Sequence, residues 1–441
     1  MNKEVKSAEV FLWGSKIGIL YKPSDSPICK FMYDKNFLDS KIELSPFAMP
    51  LSSNVYEFRT LNYETFHGLP GIFADSLPDR FGNAVINKWL AMNGRLPNAL
   101  NPIEMLCYVG KRGMGALEYI PAIDIFDDEK SKVDIEDLSK YASQVLNEKS
   151  KINFNMKNIS AMQLLKLGTS AGGARAKAII AYNKKTKEIR SGQISAGKGF
   201  DYYILKFDGV EGSGDHGLKD GLDYTKIEYA YYNMAIDCKI DMMECELLHV
   251  GNKNHFLTKR FDRININDGT NRKVDKVHMQ TLGALTHIDY NVPLMCSYEM
   301  LAMYSRKLNA DLSDIEQIYR RMVFNVLAVN CDDHVKNFSF LMNRNGEWKL
   351  SPAYDITFAY KEGNKWLSRH QMSINNKSEN INNDDLIEVG INMDLKKSKC
   401  KNIVDEIARI TQNWLSYAEN ANVSEQTAYA INNIIKKASK I

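Results

Sequence analysis

Several features that would classify a protein at once are scarce or missing in this sequence. It contains seven cysteines in 441 residues, and no two of them form a CxxC pair, so we expect neither a disulfide scaffold nor a zinc or redox site of that spacing. It has no run of about 18 apolar residues that could span a membrane, and no apolar stretch typical of a signal peptide follows its first residues. We therefore expect a soluble protein of the reducing cytoplasm with no contact to a membrane.

The sequence also lacks an excess of charge of one sign. It has 57 Lys and Arg residues against 54 Asp and Glu, a net charge of +3, which provides no general basis for coating nucleic acid. What is present is the composition of an ordinary folded protein, because 44% of the residues are hydrophobic and 25% are charged. At roughly 150 residues per domain, the length indicates about two or three domains.

Hydrophobic patterning predicts a mixture of strands and helices. Strands are predicted in two short pieces around a turn within 10–21, and at 30–33, 178–182, 202–207 and 255–261. Helices are predicted at 81–92, with Asp79 as N-cap, and at 226–238, 298–308 and 315–329. From about residue 275 onward helical periodicity dominates, interrupted by a predicted hairpin at 338–355 with Asn-Gly turn chemistry. The charge-rich segment 126–153 is interpreted as a solvated connection.

One loop combines the residue types that phosphoryl transfer needs. Asp332 and Asn337 are separated by four residues, which is the spacing in the catalytic loop of protein kinases. There the carboxylate accepts the proton of the substrate hydroxyl, and the amide oxygen binds magnesium. Asp355 follows the predicted hairpin, where kinases place their main metal-binding aspartate, although Asp355-Ile-Thr stands in place of Asp-Phe-Gly. Taken alone, Asp332 would more often be a helix cap or turn residue, and His334 a structural histidine, but the ordered set favours chemistry.

A second candidate is the glycine-rich turn, residues 167–177, which leads directly into an apolar strand. Consecutive backbone N–H groups in such a turn can bind phosphate oxygens, although the turn matches neither a Walker A box nor GxGxxG and a plain hairpin turn is the alternative. Arg175 and Lys177 add positive charge beside it. Lys206 lies in another apolar strand, where a lysine is costly unless it meets an anion, and Glu228 on the 226–238 helix is its possible partner.

Six motifs in sequence order resemble the HipA family, which comprises bacterial serine/threonine kinases that act as toxins of type II toxin–antitoxin pairs. The motifs are Gly168–Lys177, Tyr203–Phe207, Lys259–Arg263, His278–Gly283, Asn330–Asn337 and Pro352–Asp355. Phe11–Gly14 and Ser76–Arg80 resemble the N-terminal region of the family. The resemblance implies an α+β, protein-kinase-like bilobal fold with an extra N-terminal α/β subdomain and a mostly helical C-terminal lobe. The expected division is a HipA-like subdomain at 1–150, a strand-rich nucleotide-binding lobe at 151–265 and a helical catalytic lobe at 266–441.

The resemblance also implies roles for single residues. Asp332 would be the catalytic base, and Asn337 and Asp355 would be ligands of magnesium. The implied ATP-binding residues are Gly172, Gly173, Ala174, Arg175, Ala176, Lys177, Lys206, Lys259, Arg260, Phe261, His334, Val335, Lys336, Asn337, Tyr354 and Asp355. Ser170 would align with a loop serine that some members autophosphorylate, which silences the enzyme, unless it only shapes the turn. Arg175-Ala176 departs from the Gln-Glu of the best-known member, and Gly173 is an additional glycine.

The implied cofactors are ATP and Mg²⁺, and the implied partner is a small helix-turn-helix antitoxin, HipB-like, through which the chain would reach DNA. A protein hydroxyl would receive the γ-phosphate. Glutamyl-tRNA synthetase is the substrate that the best-known member implies, and members of the family differ in substrate. Two alternatives stay open. The chain could be a small-molecule phosphotransferase, because aminoglycoside-type kinases share the Asp-x4-Asn logic, or an inactive ATP-binding partner and corepressor of a DNA-binding antitoxin.

Overall fold

The computed structural model describes most of the chain. The described residues are 4–122, 132–146, 164, 167–168, 175–193, 195–210, 223–267, 272–309 and 311–438. Within these ranges, no helix has both the length and the apolar character that a membrane crossing requires. All seven cysteines are buried free thiols.

The N-terminal part is built on an antiparallel sheet. Its strands are β1 (Ser7–Leu12), β2 (Ser15–Tyr21), β3 (Lys30–Tyr33) and β4 (Leu117–Ile120), in the order β3-β2-β1-β4. The helices between β3 and β4 are α1 (Lys35–Leu38), α2 (Tyr63–Phe66), α3 (Gly71–Ala74), α4 (Arg80–Met92) and α5 (Pro102–Val109). Trp13 and Gly14 both have positive φ, +51° and +86°, as a tight hairpin turn between twisted strands requires. The structure thus confirms the predicted pair of strands, and it confirms Asp79 as the N-cap of α4, because its carboxylate accepts a hydrogen bond from the backbone N–H of Gly82.

A second antiparallel sheet follows, and two N-terminal helices cover one of its faces. It consists of β5 (Lys177–Asn183), β6 (Glu188–Ser191), β7 (Asp201–Lys206), β8 (Cys245–Val250) and β9 (Lys253–Lys259), in the order β6-β5-β7-β9-β8. The helices around it are α6 (Ile135–Leu146), inside the charge-rich segment, and α7 (Tyr224–Asp237). Phe81 of α4 and Leu138 of α6 share a hydrophobic core with Ile180 and Leu205 of the sheet. This packing places the beginning of α4 beside the first residue of β5.

The remaining residues are mostly helical. The strands are β10 (Arg263–Asn267), β11 (Arg272–Lys276), β12 (His278–Thr281), β13 (Ser339–Met342) and β14 (Trp348–Leu350). The helices are α8 (Leu282–Thr286), α9 (Tyr298–Lys307), α10 (Leu312–Leu327), α11 (Asn383–Asn392), α12 (Lys397–Thr411), α13 (Trp414–Asn420) and α14 (Glu425–Ala438). The predicted hairpin forms as β13 and β14. Residues 278–281 are a strand within the region predicted as helical, because β12 pairs with β13, a long-range contact that local periodicity does not reveal.

The largest hydrophobic core joins the N-terminal sheet to the C-terminal helices. Val10 and Phe31 of the sheet belong to the same buried cluster as Tyr298, Tyr319 and Trp414. Helix α10 lies in this cluster, and its C-terminal half is buried on all sides. Because the C-terminal half of α10 is buried, it fixes the position of the loop that follows the helix, residues 330–338.

Candidate functional site

A cleft opens where the 330–338 loop faces the segment after β14. Its lining residues are Arg321, Asn325, Asn330, Asp332, Asp333, Asn337, Phe338, Ala353, Tyr354, Asp355 and Ile356. The structure therefore brings together Asp332, Asn337 and Asp355, the three residues that the spacing argument singled out. Their oxygen atoms come from a loop and from the end of a hairpin, two elements that are both anchored on buried structure.

Asp332 and Asn337 are held by contacts within their own loop. The side-chain amide nitrogen of Asn337 donates a 2.6 Å hydrogen bond to the backbone oxygen of Asp332, which leaves the amide oxygen of Asn337 available as a ligand. Val335–Asn337 form a single 3₁₀ turn. This turn packs on α8 at Gly283, where a Cβ atom would lie 3.1 Å from Cγ2 of Val335, so the glycine of the His278–Gly283 motif permits the close approach. His334 lies next to Asp332, with Nε2 of its ring 3.8 Å from Oδ1 of Asp332.

Asp333 anchors the 330–338 loop through its buried side chain. The sequence analysis did not identify this residue. Its carboxylate is buried and accepts hydrogen bonds from the hydroxyl of Tyr298 (2.8 Å) and the backbone N–H of Gln371 (2.7 Å). It also lies 2.9 Å from Nδ1 of His370. A buried carboxylate with three polar partners is held in one position, and Asp333 directly follows Asp332 in the sequence. No spacing in the sequence connects residues 298, 333 and 370, so only the fold reveals this network.

Lys206 is the central cation of the site. It is buried in β7, with Nζ 2.5 Å from Oε1 of Glu228 on α7 and a second ion pair to Oδ1 of Asp355. Burial disfavours its charge, but the carboxylates of Asp355 and Glu228 outweigh burial and raise the pKa of the Lys206 ammonium group. The pKa of Glu228 is raised by burial, partly offset by Lys206. Lys206 thus meets the anions that its apolar strand required.

Asp355 has the properties of a metal ligand. Its φ is +53°, a left-handed conformation that is strained for an aspartate and is concentrated at functional sites. Burial would raise the pKa of its carboxyl group, but Lys206 and Lys177 lower it, so the carboxylate stays ionised. About a third of the side chain, 35%, is exposed. Together with the free amide oxygen of Asn337, this carboxylate forms the hard oxygen donor set that magnesium prefers, so the residues present fit that ion.

Three of the implied ATP-binding residues, Lys259, Arg260 and Phe261, lie at the end of β9 and just after it. The backbone N–H groups of Lys259 and Arg260 donate to the carbonyls of Glu244 and Tyr202, so they are already occupied by the sheet. The guanidinium group of Arg260 is buried and donates two 2.8 Å hydrogen bonds to the carboxylate of Asp262. Arg260 therefore contributes to the internal structure of this segment rather than presenting its side chain to the cleft.

Phe261 and Tyr354 connect this segment to the 330–338 loop. Their ring centroids are 5.9 Å apart, and the hydroxyl of Tyr354 donates a 2.7 Å hydrogen bond to the backbone oxygen of Lys336. The ammonium group of Lys336 lies 4.7 Å from the ring centroid of Tyr290. Aromatic rings at this position could cover one side of a planar base.

The described end of the glycine-rich turn lies next to Lys206. Ser170, Gly172, Gly173 and Ala174 lie outside the described residues. The guanidinium group of Arg175 stacks on the ring of Tyr224, and the backbone oxygen of Ala176 accepts a hydrogen bond from the N–H of Phe207. Lys177 stands opposite Lys206 across the β5–β7 ladder. Its Nζ lies 3.1 Å from Oδ2 of Asp79, a residue that sequence reasoning recognised as a helix cap and not as part of a site.

Two family models match most of the chain. The model of the HipA-like C-terminal domain matches residues 169–414, and the model of the HipA N-terminal domain matches residues 8–120. A protein of Haemophilus influenzae named "Putative kinase" is 26% identical over 44% of this chain, and the chain covers 63% of the length of that relative.

Among solved structures, the chain is similar to HipA in the complex of HipA, HipB and operator DNA from Shewanella oneidensis. The TM-score is 0.68 at 17% identity, over 98% of this chain and 95% of that chain, which is a likeness of fold. It confirms the α+β, kinase-like architecture. Because the C-terminal family model alone matches more than half of the 441 residues, the chain belongs to the HipA family.

Proposed function

We propose that this chain is an ATP- and Mg²⁺-dependent serine/threonine protein kinase that acts as the toxin of a type II toxin–antitoxin system. The observation that carries the proposal is the shared cleft: Asp332 and Asn337 face Asp355, and Asp355 is joined to the buried Lys206–Glu228 pair. This is the set of groups with which protein kinases transfer a phosphoryl group. The Haemophilus influenzae relative with "kinase" in its name gives the proposal further support.

Each residue has a chemical task in this proposal. Asp332 accepts the proton of the substrate hydroxyl as the oxygen attacks the γ-phosphorus of ATP, while the bond from that phosphorus to the bridging oxygen breaks and ADP leaves. Lys206 donates to phosphate oxygens, and Glu228 keeps its ammonium group in place. Asn337 and Asp355 would hold magnesium, which neutralises charge on the phosphates when bound. Most of the acceleration then comes from groups positioned before the reaction begins.

The partners are also part of the proposal. The Shewanella oneidensis structure contains HipA together with HipB and operator DNA, so we expect a HipB-like antitoxin to bind this chain and to make the DNA contact. Glutamyl-tRNA synthetase is the first protein substrate to test. Autophosphorylation of Ser170 would be a means of self-inactivation.

Labelling from radioactive ATP tests the activity. The purified chain is incubated with Mg²⁺ and γ-labelled ATP, either with glutamyl-tRNA synthetase or with a panel of small hydroxyl compounds. We expect label on protein, and we expect Asp332→Asn to lower the rate by roughly 100-fold or more, because the proton acceptor is lost. Asp405→Asn, an exposed aspartate on α12, is the matched control.

The outcomes separate the candidate functions. An Asp332→Asn rate equal to wild type contradicts the role of Asp332 as base. Label on small molecules alone identifies a small-molecule phosphotransferase, and binding of ATP without any transfer identifies an inactive nucleotide-binding partner. Peptide mass spectrometry of residues 168–177 shows whether Ser170 carries phosphate.

A further inference from the structure

Asp79 and Lys177 form a buried ion pair between two segments that are far apart in the sequence. Nζ of Lys177 lies 3.1 Å from Oδ2 of Asp79, and the side chains are 3% and 5% exposed. The other carboxylate oxygen of Asp79, Oδ1, accepts a 2.6 Å hydrogen bond from the N–H of Gly82. Capping and ion pairing therefore use different oxygens. Since asparagine caps a helix as well as aspartate does, the cap alone does not require the charge of Asp79.

The pair lies at the described edges of the glycine-rich turn. Lys177 is the first residue of β5, and Gly168 lies near it on the other side of the turn. A Cβ atom at Gly168 would lie 3.0 Å from Cε1 of Phe81 and 3.4 Å from the backbone oxygen of Lys177. The start of α4, Asp79 to Phe81, therefore contacts the chain at residue 168 and again at residue 177.

Lys177 also lies beside the cation of the candidate site, Lys206. Lys177 and Lys206 are directly opposite on neighbouring strands, where two like charges repel. Each lysine is buried against a carboxylate of its own, Asp79 for Lys177 and Glu228 for Lys206. Lys206 also pairs with Asp355, so Lys177 lies on the strand next to the residue that connects the sheet to the cleft.

We propose that Asp79 is a positioning residue of the nucleotide site: its carboxylate holds the ammonium group of Lys177 at the edge of the glycine-rich turn, beside Lys206 and Asp355. The N-terminal region, matched by a separate family model, thereby takes part in binding the nucleotide. This inference rests on the proposed function for the presence of a nucleotide, but the ion pair itself is testable without one.

The first experiment measures the reactivity of Lys177 in the full chain without nucleotide. Lysines are acylated briefly with an N-hydroxysuccinimide ester, and peptide mass spectrometry follows Lys177, with the half-exposed Lys184 as internal reference. We expect acylation of Lys177 to rise several-fold in Asp79→Asn, which keeps the helix cap and removes the charge. The matched control is Asp311→Asn, a change at the exposed N-cap of α10, and it should leave Lys177 at the wild-type rate.

The second experiment measures the affinity for Mg²⁺ and a non-hydrolysable ATP analogue by calorimetry. We expect Asp79→Asn to raise Kd about tenfold, as for loss of one charge-assisted contact, and to lower the thermal midpoint more than Asp311→Asn does, because the buried Lys177 loses the Asp79 carboxylate. The double variant Asp79→Asn/Lys177→Met should bind like Lys177→Met alone, because Asp79 acts through Lys177.

Three results overturn the inference. The first is equal acylation of Lys177 in wild type and Asp79→Asn, and the second is equal affinity of these two proteins for the ATP analogue. The third is a double variant whose loss of affinity is the sum of the losses in the two single variants. Failure of the proposed function has a different signature, because the wild-type chain itself then binds no nucleotide. A purely structural role for Asp79 would lower the thermal midpoint without the selective rise in Lys177 acylation, and that result also counts against the inference.

Discussion

Lys206 and Lys177 stand side by side in one sheet, yet their surroundings differ. Lys206 is bound by two carboxylates, Glu228 and Asp355, both within the segment matched by the C-terminal family model. Lys177 is bound by Asp79, which comes from the segment matched by the N-terminal model. The first set of contacts belongs to the proposed catalytic site, whereas the second joins that site to another region of the chain.

This difference has an energetic consequence. Removing the cation of a buried ion pair leaves an uncompensated charge, which is costly. Loss of Lys206 leaves two carboxylates facing each other, and loss of Lys177 leaves one. We therefore expect loss of the Lys206 cation to destabilise the fold more than loss of the Lys177 cation.

The largest effect is expected for Lys206→Met. The variant loses the phosphate-binding cation and leaves Glu228 and Asp355 without it, so phosphotransfer should fall by roughly 100-fold or more, and the free energy of unfolding should fall by about 3–5 kcal/mol. Activity assays and urea titration measure the two quantities.

Lys177→Met should have a smaller effect on both phosphotransfer and the free energy of unfolding. Lys184→Met, at a more exposed ion pair, should cost less than about 1 kcal/mol. If Lys177→Met is as damaging as Lys206→Met, the contrast between the two pairs is wrong.

A smaller effect is expected for Glu228→Gln. Lys206 keeps Asp355 as partner, and glutamine retains the shape of the side chain, so the fold should persist while phosphotransfer falls by about 10- to 100-fold through misplacement of Lys206. Kinetics over a range of ATP concentrations should show a change in kcat together with KM. Asp79→Asn should mainly change KM, because Lys177 lies at the edge of the glycine-rich turn. An unchanged kcat in Glu228→Gln would mean that Glu228 only balances charge.

The smallest effect is expected for the free energy of unfolding at acid pH, through a histidine close to Lys206. His255 in β9 is buried, and its Nδ1 accepts a 3.0 Å hydrogen bond from the N–H of Asp208, just beyond Lys206. Burial lowers its pKa from 6.5 to about 4, opposed by the charge of Asp208 and assisted by that of Lys253. The folded state therefore disfavours protonation of His255. The contribution of neutral His255 to the free energy of unfolding is complete above pH 6.5 and is lost as the pH falls toward 4.

Between pH 6.5 and 5.5 this loss amounts to about 1 kcal/mol. His255→Gln should remove it, so urea titrations at the two pH values should show a shallower fall in the free energy of unfolding than in wild type. His249→Gln, at an exposed position of β8, should leave the fall as it is. A wild-type slope in His255→Gln would contradict the assignment of this acid sensitivity to His255.

Much of the fold was accessible from local patterns. Helix α4 begins where Asp79 caps it, and β13 and β14 form the hairpin predicted from the Asn-Gly turn. Both signals are local, since a cap and a turn depend on residues close in the sequence. Strand β12 was not predicted, because its structure depends on pairing with β13 more than 50 residues further on, and such pairings have no local signature.

For the candidate site, the sequence by itself determined the order and spacing of Asp332, Asn337 and Asp355, and it required an anion near Lys206. The structure brings these residues together, because Asp332 and Asn337 lie on one short loop and Asp355 follows the hairpin next to it. Only the tertiary structure decided which anions meet the lysines, that Tyr298 and His370 support Asp333, and that a helix cap of the N-terminal region reaches Lys177. The physical reason is that buried charges take their partners from whatever element packs against them, and that packing is set by the core of the whole chain.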